Sequence, residues 1–506
     1  MNTTQMLSLK PLWALSLASL LALSACSKDQ APASPPIKSN SNMASSQQQG
    51  PWQLPPPPPN YQGPLFSLSH NYPAAYTQPL PTAWQQAINS SRINVNNAQQ
   101  YTLALKAAIA KDMRQLIYDY PNWQPAKAGW YNQPWLSDIR DPIRGSYIGS
   151  TFPPAMFPQS KLSAEMTTHV AVYYDSVAAV SLNNVWGSSG TNPMPGLAAG
   201  GAQFPEGGII VKPAFTTADA STWPPMAGAY PVTIYANNDG SSPRQMMDVQ
   251  FFQFDIIVKD SQSSPQSQWV FTTLVYDKNA PGDNWDKMVP LGAMWGNDPN
   301  INSPQFCDYT VKNGCPALAE TWINPAAPLY AKETLGWGGR LSGPNDGAVD
   351  IDAVVLKTDG SLALVAPKRY AMSSCMGCHG SAEYTMKSFL LPSPSSCSGD
   401  SCTPTFAQCD QAIPANCKVV PPSAPGDKEL VYHQTASADF MRWFQNRPGN
   451  IPQDPGQIAL DYGMNYAFKS LPSWYRNTQA ADKNADIGFT GALRNYRGLD
   501  PALDDK

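Results

Sequence analysis

Cys375-Met376-Gly377-Cys378-His379 is the segment of this chain whose residue types and spacing most directly specify a chemistry. Two thiols three positions apart come to one side when the segment turns, within reach of the two vinyl groups of a haem. The adjacent histidine then offers its imidazole as the proximal iron ligand. The spacing therefore points to one covalently attached haem c, held through Cys375, Cys378 and His379. Two other readings use the same thiols. A thioredoxin-like redox pair needs a strand-to-helix setting in a βαβ unit, and half of a zinc site needs two further ligands. The sequence around the motif supplies neither.

The group at the sixth iron position decides what such a haem does. A methionine or histidine there suits electron transfer, whereas an open position lets the iron bind oxygen, nitric oxide or peroxide. Met441 is the favoured distal ligand, His433 is the alternative, and Met464 stands behind them. Each has an ordinary reading, because the chain holds 17 methionines that can fill a core, and His70, His169 and His433 can be satisfied or surface imidazoles. Arg340 has two readings of equal standing: a bidentate contact to a haem propionate or an anionic substrate, and an ordinary loop arginine bonding backbone carbonyls. No distal acid or base can be named, so catalytic residues stay unassigned.

The elements that must carry this motif begin with an export signal. Residues 11–25 are an apolar run behind Lys10 that ends in Leu23-Ser24-Ala25-Cys26, a small-residue cleavage site. This segment resembles the bacterial lipobox, which implies that Cys26 is lipidated and becomes the mature N-terminus. A membrane-spanning helix needs about 20 apolar residues, more than this run offers. No later segment is long and apolar enough to cross a bilayer, so the lipid is the expected membrane contact. Residues 27–60 are rich in Ser, Gln and Pro and finish in Pro55 to Pro59, the composition of a flexible tether with a stiffer end. The expected location is the bacterial cell envelope, on the periplasmic side or at the outer membrane.

Nine cysteines less Cys26, Cys375 and Cys378 leave six: Cys307, Cys315, Cys397, Cys402, Cys409 and Cys417. An even remainder in an exported chain favours disulfides. Proximity suggests Cys307 with Cys315, Cys397 with Cys402, and Cys409 with Cys417, among the 15 connectivities that six cysteines permit. No histidine stands at metal-ligand spacing among them.

The 506 residues suffice for two to three domains or one large elaborated one. With 14% charged residues, 42% apolar residues, 51 prolines and 15 tryptophans, the composition describes short strands and long ordered loops rather than a helical bundle. A net charge of -4 without long runs of one sign carries no footprint for nucleic acid. Tyr101, Leu105, Ile109, Met113, Leu116 and Tyr120 share one helical stripe, which predicts an amphipathic helix over 97–120, capped by Asn96 or Asn97 and stopped by Pro121. β-branched and aromatic runs at 207–215, 249–260 and 267–277 predict antiparallel sheet. Asp359-Gly360 between two such runs in 352–365 predicts a hairpin with a two-residue turn. Helices are expected at 383–390, 436–445 and 455–469. The fold class expected is α+β, a central antiparallel β-rich body with an N-terminal helix and a helical C-terminal region around the haem. The boundaries expected are a signal peptide over 1–25, a tether over 26–60, a mixed region over 61–200, the β-rich body over 201–370 and the haem-binding region over 371–506.

The CxxCH residues resemble a c-type cytochrome. The approach to the motif differs from a small class I cytochrome c, which begins with a helix, because Leu362 to Tyr370 is strand-like. Sheet first and CxxCH late looks more like the cytochrome P460 family, and Gly208-Ile209-Ile210-Val211-Lys212, Asp255 to Asp260, Trp269 and the segment 373–382 carry that resemblance over about 180 residues. It implies a haem against an antiparallel sheet and a lysine cross-linked to it, for which Lys212 and Lys259 are the candidates. The tracts 285–299 and 336–346 look like signature segments of large, uncharacterised bacterial CxxCH proteins.

Two functions follow. One is a lipid-anchored monohaem cytochrome that passes single electrons between a redox partner protein or a small-molecule donor or acceptor. The other is a haem enzyme with an open iron face, acting on a small nitrogen oxide, hydroxylamine or peroxide. The size of the chain argues against a bare carrier, and the aromatic-rich body supplies walls for a pocket.

Overall fold

The apolar and aromatic runs of the middle of the chain fold as strands of one antiparallel sheet. The computed structural model describes residues 55–133, 140–189, 200–238, 242–302, 316–346, 373–383, 438–453 and 458–469, with short strand segments at 349–350, 354–356, 362–364, 370–371, 395–397 and 430–432. Cys26, His433, Cys307, Cys315, Cys402, Cys409 and Cys417 lie outside the described residues, and so does the tether up to residue 54. Pro55 and Pro58, at the end of the proline run, are buried.

The sheet has ten strands. In chain order they are β1 (Trp130–Asn132), β2 (Tyr147–Phe152), β3 (Met166–Val170), β4 (Tyr173–Asp175), β5 (Ile209–Thr216), β6 (Pro231–Ala236), β7 (Gln245–Lys259), β8 (Trp269–Tyr276), β9 (Met288–Met294) and β10 (Thr321–Ile323). The spatial order is β1-β4-β5-β7-β8-β9-β10, with β2 on β3, β3 on β5 and β6 on β7. The three predicted runs become β5, β7 and β8, adjacent in the sheet. Strands from before and after residue 200 share it.

Register decides which side chains meet. Lys212 of β5 pairs with Asp255 of β7, and Asp255 with Thr273 of β8. One step along lie Ile210, Ile257 and Phe271, and then Lys259 opposite Trp269. Because strand side chains alternate between faces, these rows belong to one face. Phe254, Ile256 and Val258 take the other, fully buried.

The predicted amphipathic helix is α2 (Ala98–Tyr118), which follows the short α1 (Ala83–Ala87). All six residues of the predicted stripe are buried, each large apolar side chain stabilising the fold by roughly 1.5–3 kcal/mol. The helix packs against β9, and the Tyr101 hydroxyl donates to Asp260 at the end of β7 at 2.7 Å. Asn97 precedes the helix, but its side chain accepts from the Asn94 amide rather than from the first turn.

Two departures from expectation have physical causes. The hairpin of β11 (Val354–Leu356) and β12 (Leu362–Leu364) pairs Leu356 with Leu362, whereas a two-residue Asp359-Gly360 turn would pair residue 356 with residue 363. The register is therefore shifted by one. At the C-terminal end, a short helix over Ala438–Met441 gives way to a 3₁₀ turn over Arg442–Phe444, and the last described helix spans Met464–Lys469. Asp461 and Tyr462, at φ of 49° and 62°, cannot belong to a right-handed helix. Glu383 makes an antiparallel bridge with Ala459, and the rest of the helix expected at 383–390 lies outside the described residues. Among the described residues no helix is long and apolar enough to cross a membrane.

Candidate haem-attachment site

The CxxCH residues form a single helical turn, α3 (Cys375–His379). Ser374 starts it as a capping residue, its Oγ accepting the Gly377 amide at 3.0 Å, which satisfies a donor the short helix cannot. Met376 is wholly buried and pins the turn to the core. A side chain on Gly377 would press on Ser374 Oγ at 2.9 Å and the Phe444 ring at 3.3 Å, so this position admits only glycine without movement. Cys375, Cys378 and His379 are half-buried, and neither cysteine is in a disulfide. At i and i+3 of one turn, the two thiols share a side.

The loop 336–341 holds the approach to this turn. Trp337 donates its amide to the Ser373 carbonyl at 2.7 Å, and Cys375 donates to the Leu341 carbonyl at 2.9 Å. Gly336 passes so close that an added Cβ would sit 2.0 Å from the Ser373 oxygen. Arg340 is wholly buried beneath this loop, and its guanidinium donates to the carbonyls of Asn297, Trp337 and Asp298 at 2.7 Å and of Ile301 at 2.9 Å. It also lies over the Phe444 ring at 4.5 Å. Of its two sequence readings, the geometry matches the arginine that bonds backbone carbonyls.

His379 is oriented by the backbone. Its Nδ1 lies 2.8 Å from the Tyr462 carbonyl, and its ring meets Phe271 of β8 edge-on at 4.9 Å. A carbonyl can only accept, so Nδ1 carries the proton and Nε2 presents its lone pair. Burial holds the imidazole pKa down to about 4, against the pull of the Tyr462 carbonyl, so the ring is neutral and able to ligate a metal. Burial likewise pushes the Cys375 thiol well up, with Asp346 and Asp255 adding to the effect. A redox-active dithiol needs its thiol pKa lowered. The thioredoxin-like reading therefore lacks its chemistry here. Among the described residues no group of three or more His, Cys, Asp and Glu could hold a metal ion.

These residues fit a covalent haem: two half-buried thiols on one side of a turn, and a neutral histidine with its tautomer set for ligation through Nε2. Cys375, Cys378 and His379 would hold it.

Two polar clusters on the same sheet face complete the surroundings. In the first, Lys212 pairs with Asp346 and lies 3.5 Å from Asp255. Gln253 Nε2 donates to both carboxylates at 2.9 Å, and Thr273 donates to Asp255 at 2.8 Å. Burial and the neighbouring Asp346 raise the Asp255 pKa to about 6, despite Lys212. Lys212 also acts on His379 and Cys375 through its charge. In the second, Lys259 pairs with Asp461 at 2.6 Å. The resemblance to the P460 family thus points at two lysines that are both engaged by carboxylates.

Met441 is buried with Trp337, Trp443 and Phe444, and the 442–444 turn that follows it packs against α3. Met464 donates its amide to the same Tyr462 carbonyl that faces Nδ1, at 3.1 Å, which puts its backbone on the Nδ1 side of the ring. His169 is buried on β3 with Asn238 at 3.2 Å, and His70 bonds the Ser189 carbonyl. Sequence reasoning missed Tyr462 and Asp461, because a backbone carbonyl leaves no residue-type signal. It missed Gln253 and Asp346 as well, though Asp346 lies in a tract already singled out. Comparisons with known protein families, with curated proteins and with solved structures find no match.

Proposed function

We propose that this chain is an exported, lipid-anchored monohaem c-type cytochrome that passes one electron at a time to or from a redox partner protein or a small molecule. The observation that carries the reading is His379, held by the Tyr462 carbonyl through Nδ1 beside two thiols on one turn. The haem would be held by Cys375 and Cys378 through thioether links to its two vinyl groups and by His379 through Nε2, with the Tyr462 carbonyl fixing the ring. When bound, the haem supplies a one-electron iron couple. Lipidation at Cys26, an envelope location and a helical C-terminal region around the haem, with Met441 or His433 as distal ligand, belong to this proposal.

A second reading, a haem enzyme with an open iron face, is favoured by one observation. The Lys212, Asp255 and Asp346 cluster puts protonatable groups close to the motif, with Asp255 able to exchange a proton near pH 6. A bare electron carrier has no need of them. The two readings separate in an absorption spectrum of the purified exported protein, ferric and ferrous, with and without carbon monoxide. A low-spin ferrous spectrum indifferent to carbon monoxide supports the cytochrome, and an immediate shift on adding carbon monoxide supports the enzyme. A spectrum with no haem bands rejects both.

A further inference from the structure

Asp461 is wholly buried, and its carboxylate is held from three directions. Oδ1 accepts from Lys259 at 2.6 Å and from the Trp269 indole at 2.8 Å, and Oδ2 accepts from the Phe204 amide at 2.7 Å. Its own amide donates to the Gly449 carbonyl at 3.1 Å. All of this fixes one residue of a two-residue segment, Asp461-Tyr462, in which both members adopt the left-handed conformation. Non-glycine residues stay there only when their surroundings over-determine them. The product of that conformation is the direction of the Tyr462 carbonyl, aimed at His379 Nδ1. The Tyr462 hydroxyl, donating to the Arg447 carbonyl at 2.8 Å, secures the far end of the same residue.

We propose that Lys259 and Asp461 are positioning residues for His379. Their ion pair locks the Asp461-Tyr462 segment, the segment aims the carbonyl, and the carbonyl sets both the plane of the imidazole and the electron density it delivers to the iron. The inference rests on the reading of His379 as an iron ligand. A firm hydrogen bond at Nδ1 makes the imidazole a stronger donor and so favours the oxidised metal. Loosening the pair must therefore favour the reduced form.

The test uses the full exported chain with its haem and four variants: Lys259→Met, Asp461→Asn, Lys259→Arg and Trp269→Phe. Three readouts are taken: covalent haem on a denaturing gel, midpoint potential, and the ferric electron paramagnetic resonance spectrum, which reports the imidazole plane. Lys259→Met and Asp461→Asn keep covalent haem and shift the couple toward the reduced form by about two- to tenfold, a tenfold change being about 59 mV for one electron. Trp269→Phe, which keeps the ion pair and removes one donor to Oδ1, moves it less and in the same direction. Lys259→Arg stays near the parent protein. Unchanged potential and resonance spectrum in variants that only unfold more easily would overturn the proposal and leave the pair a purely structural one. If Lys259→Met and Asp461→Asn do not fold, Trp269→Phe decides by the same criteria. Absence of covalent haem from the parent protein, visible on the gel before any potential is measured, overturns the haem reading itself and this inference with it.

Discussion

The Nδ1 of His379 lies 2.8 Å from the carbonyl oxygen of Tyr462, 83 residues further along the chain. The histidine of a five-residue motif is thus oriented by a part of the backbone remote in sequence. The motif itself is held by other groups, and each can be tested.

Replacing Cys375 and Cys378 together by alanine removes both thioether positions while leaving Met376 in the core and the Ser374 cap in place. The variant folds, with an unchanged circular dichroism spectrum, and carries no covalent haem on a denaturing gel. Covalent haem retained in that variant would sink the assignment of the motif.

Arg340→Met strips hydrogen bonds from four carbonyls under the 336–341 loop. The Asp298 and Trp337 carbonyls keep the backbone amides of Ile301 and Arg340 as donors, whereas those of Asn297 and Ile301 lose the guanidinium at about 1–3 kcal/mol each, so a loss of about 2–4 kcal/mol in chemical denaturation is expected. Arg340→Lys recovers little of it, since one ammonium cannot reproduce the planar fork. A variant within 1 kcal/mol of the parent protein, by the same denaturation, would show that the carbonyls find other partners.

Gly336→Ala places a methyl group against the Ser373 oxygen, two residues before Cys375. The backbone has to move apart, at a cost of about 1–3 kcal/mol. The yield of haem-loaded protein falls with the stability, and the ratio of haem to protein in the purified variant is the measurement.

Asp255 gives a pH signature. Folded, it keeps its proton up to about pH 6 because burial disfavours its charge, while an unfolded aspartate releases it near pH 4. Across that window the folded state holds the extra proton, so the contribution of Asp255 to stability falls as pH rises from about 4 to about 6 and is level above. Denaturation midpoints measured through this range fall in the parent protein and fall less in Asp255→Asn. Equal slopes in both would assign the dependence to other groups.

Periodicity made α2 and the three central strands legible, because each buries an unbroken stripe or face: Tyr101, Leu105, Ile109 and Met113 on the helix, and the alternating rows from Gln253 to Lys259 on β7. The motif was legible because its chemistry needs a fixed spacing. The rest depends on partners that local patterns do not encode. Lys259 reads as a strand residue, and only the fold brings it to Asp461, 202 residues away. Arg340 had two readings because its partners are backbone carbonyls, which every residue possesses. The helix expected at 455–469 was overdrawn because apolar spacing gives no warning of the left-handed pair at Asp461 and Tyr462.

The separation of His379 from its carbonyl also makes the orientation of the ring a long-range property of the fold. A local opening of the segment that carries Tyr462 would free the imidazole while the pairing of β7 with β8 stays intact, so the ring answers to the stability of that one segment rather than to that of the whole sheet.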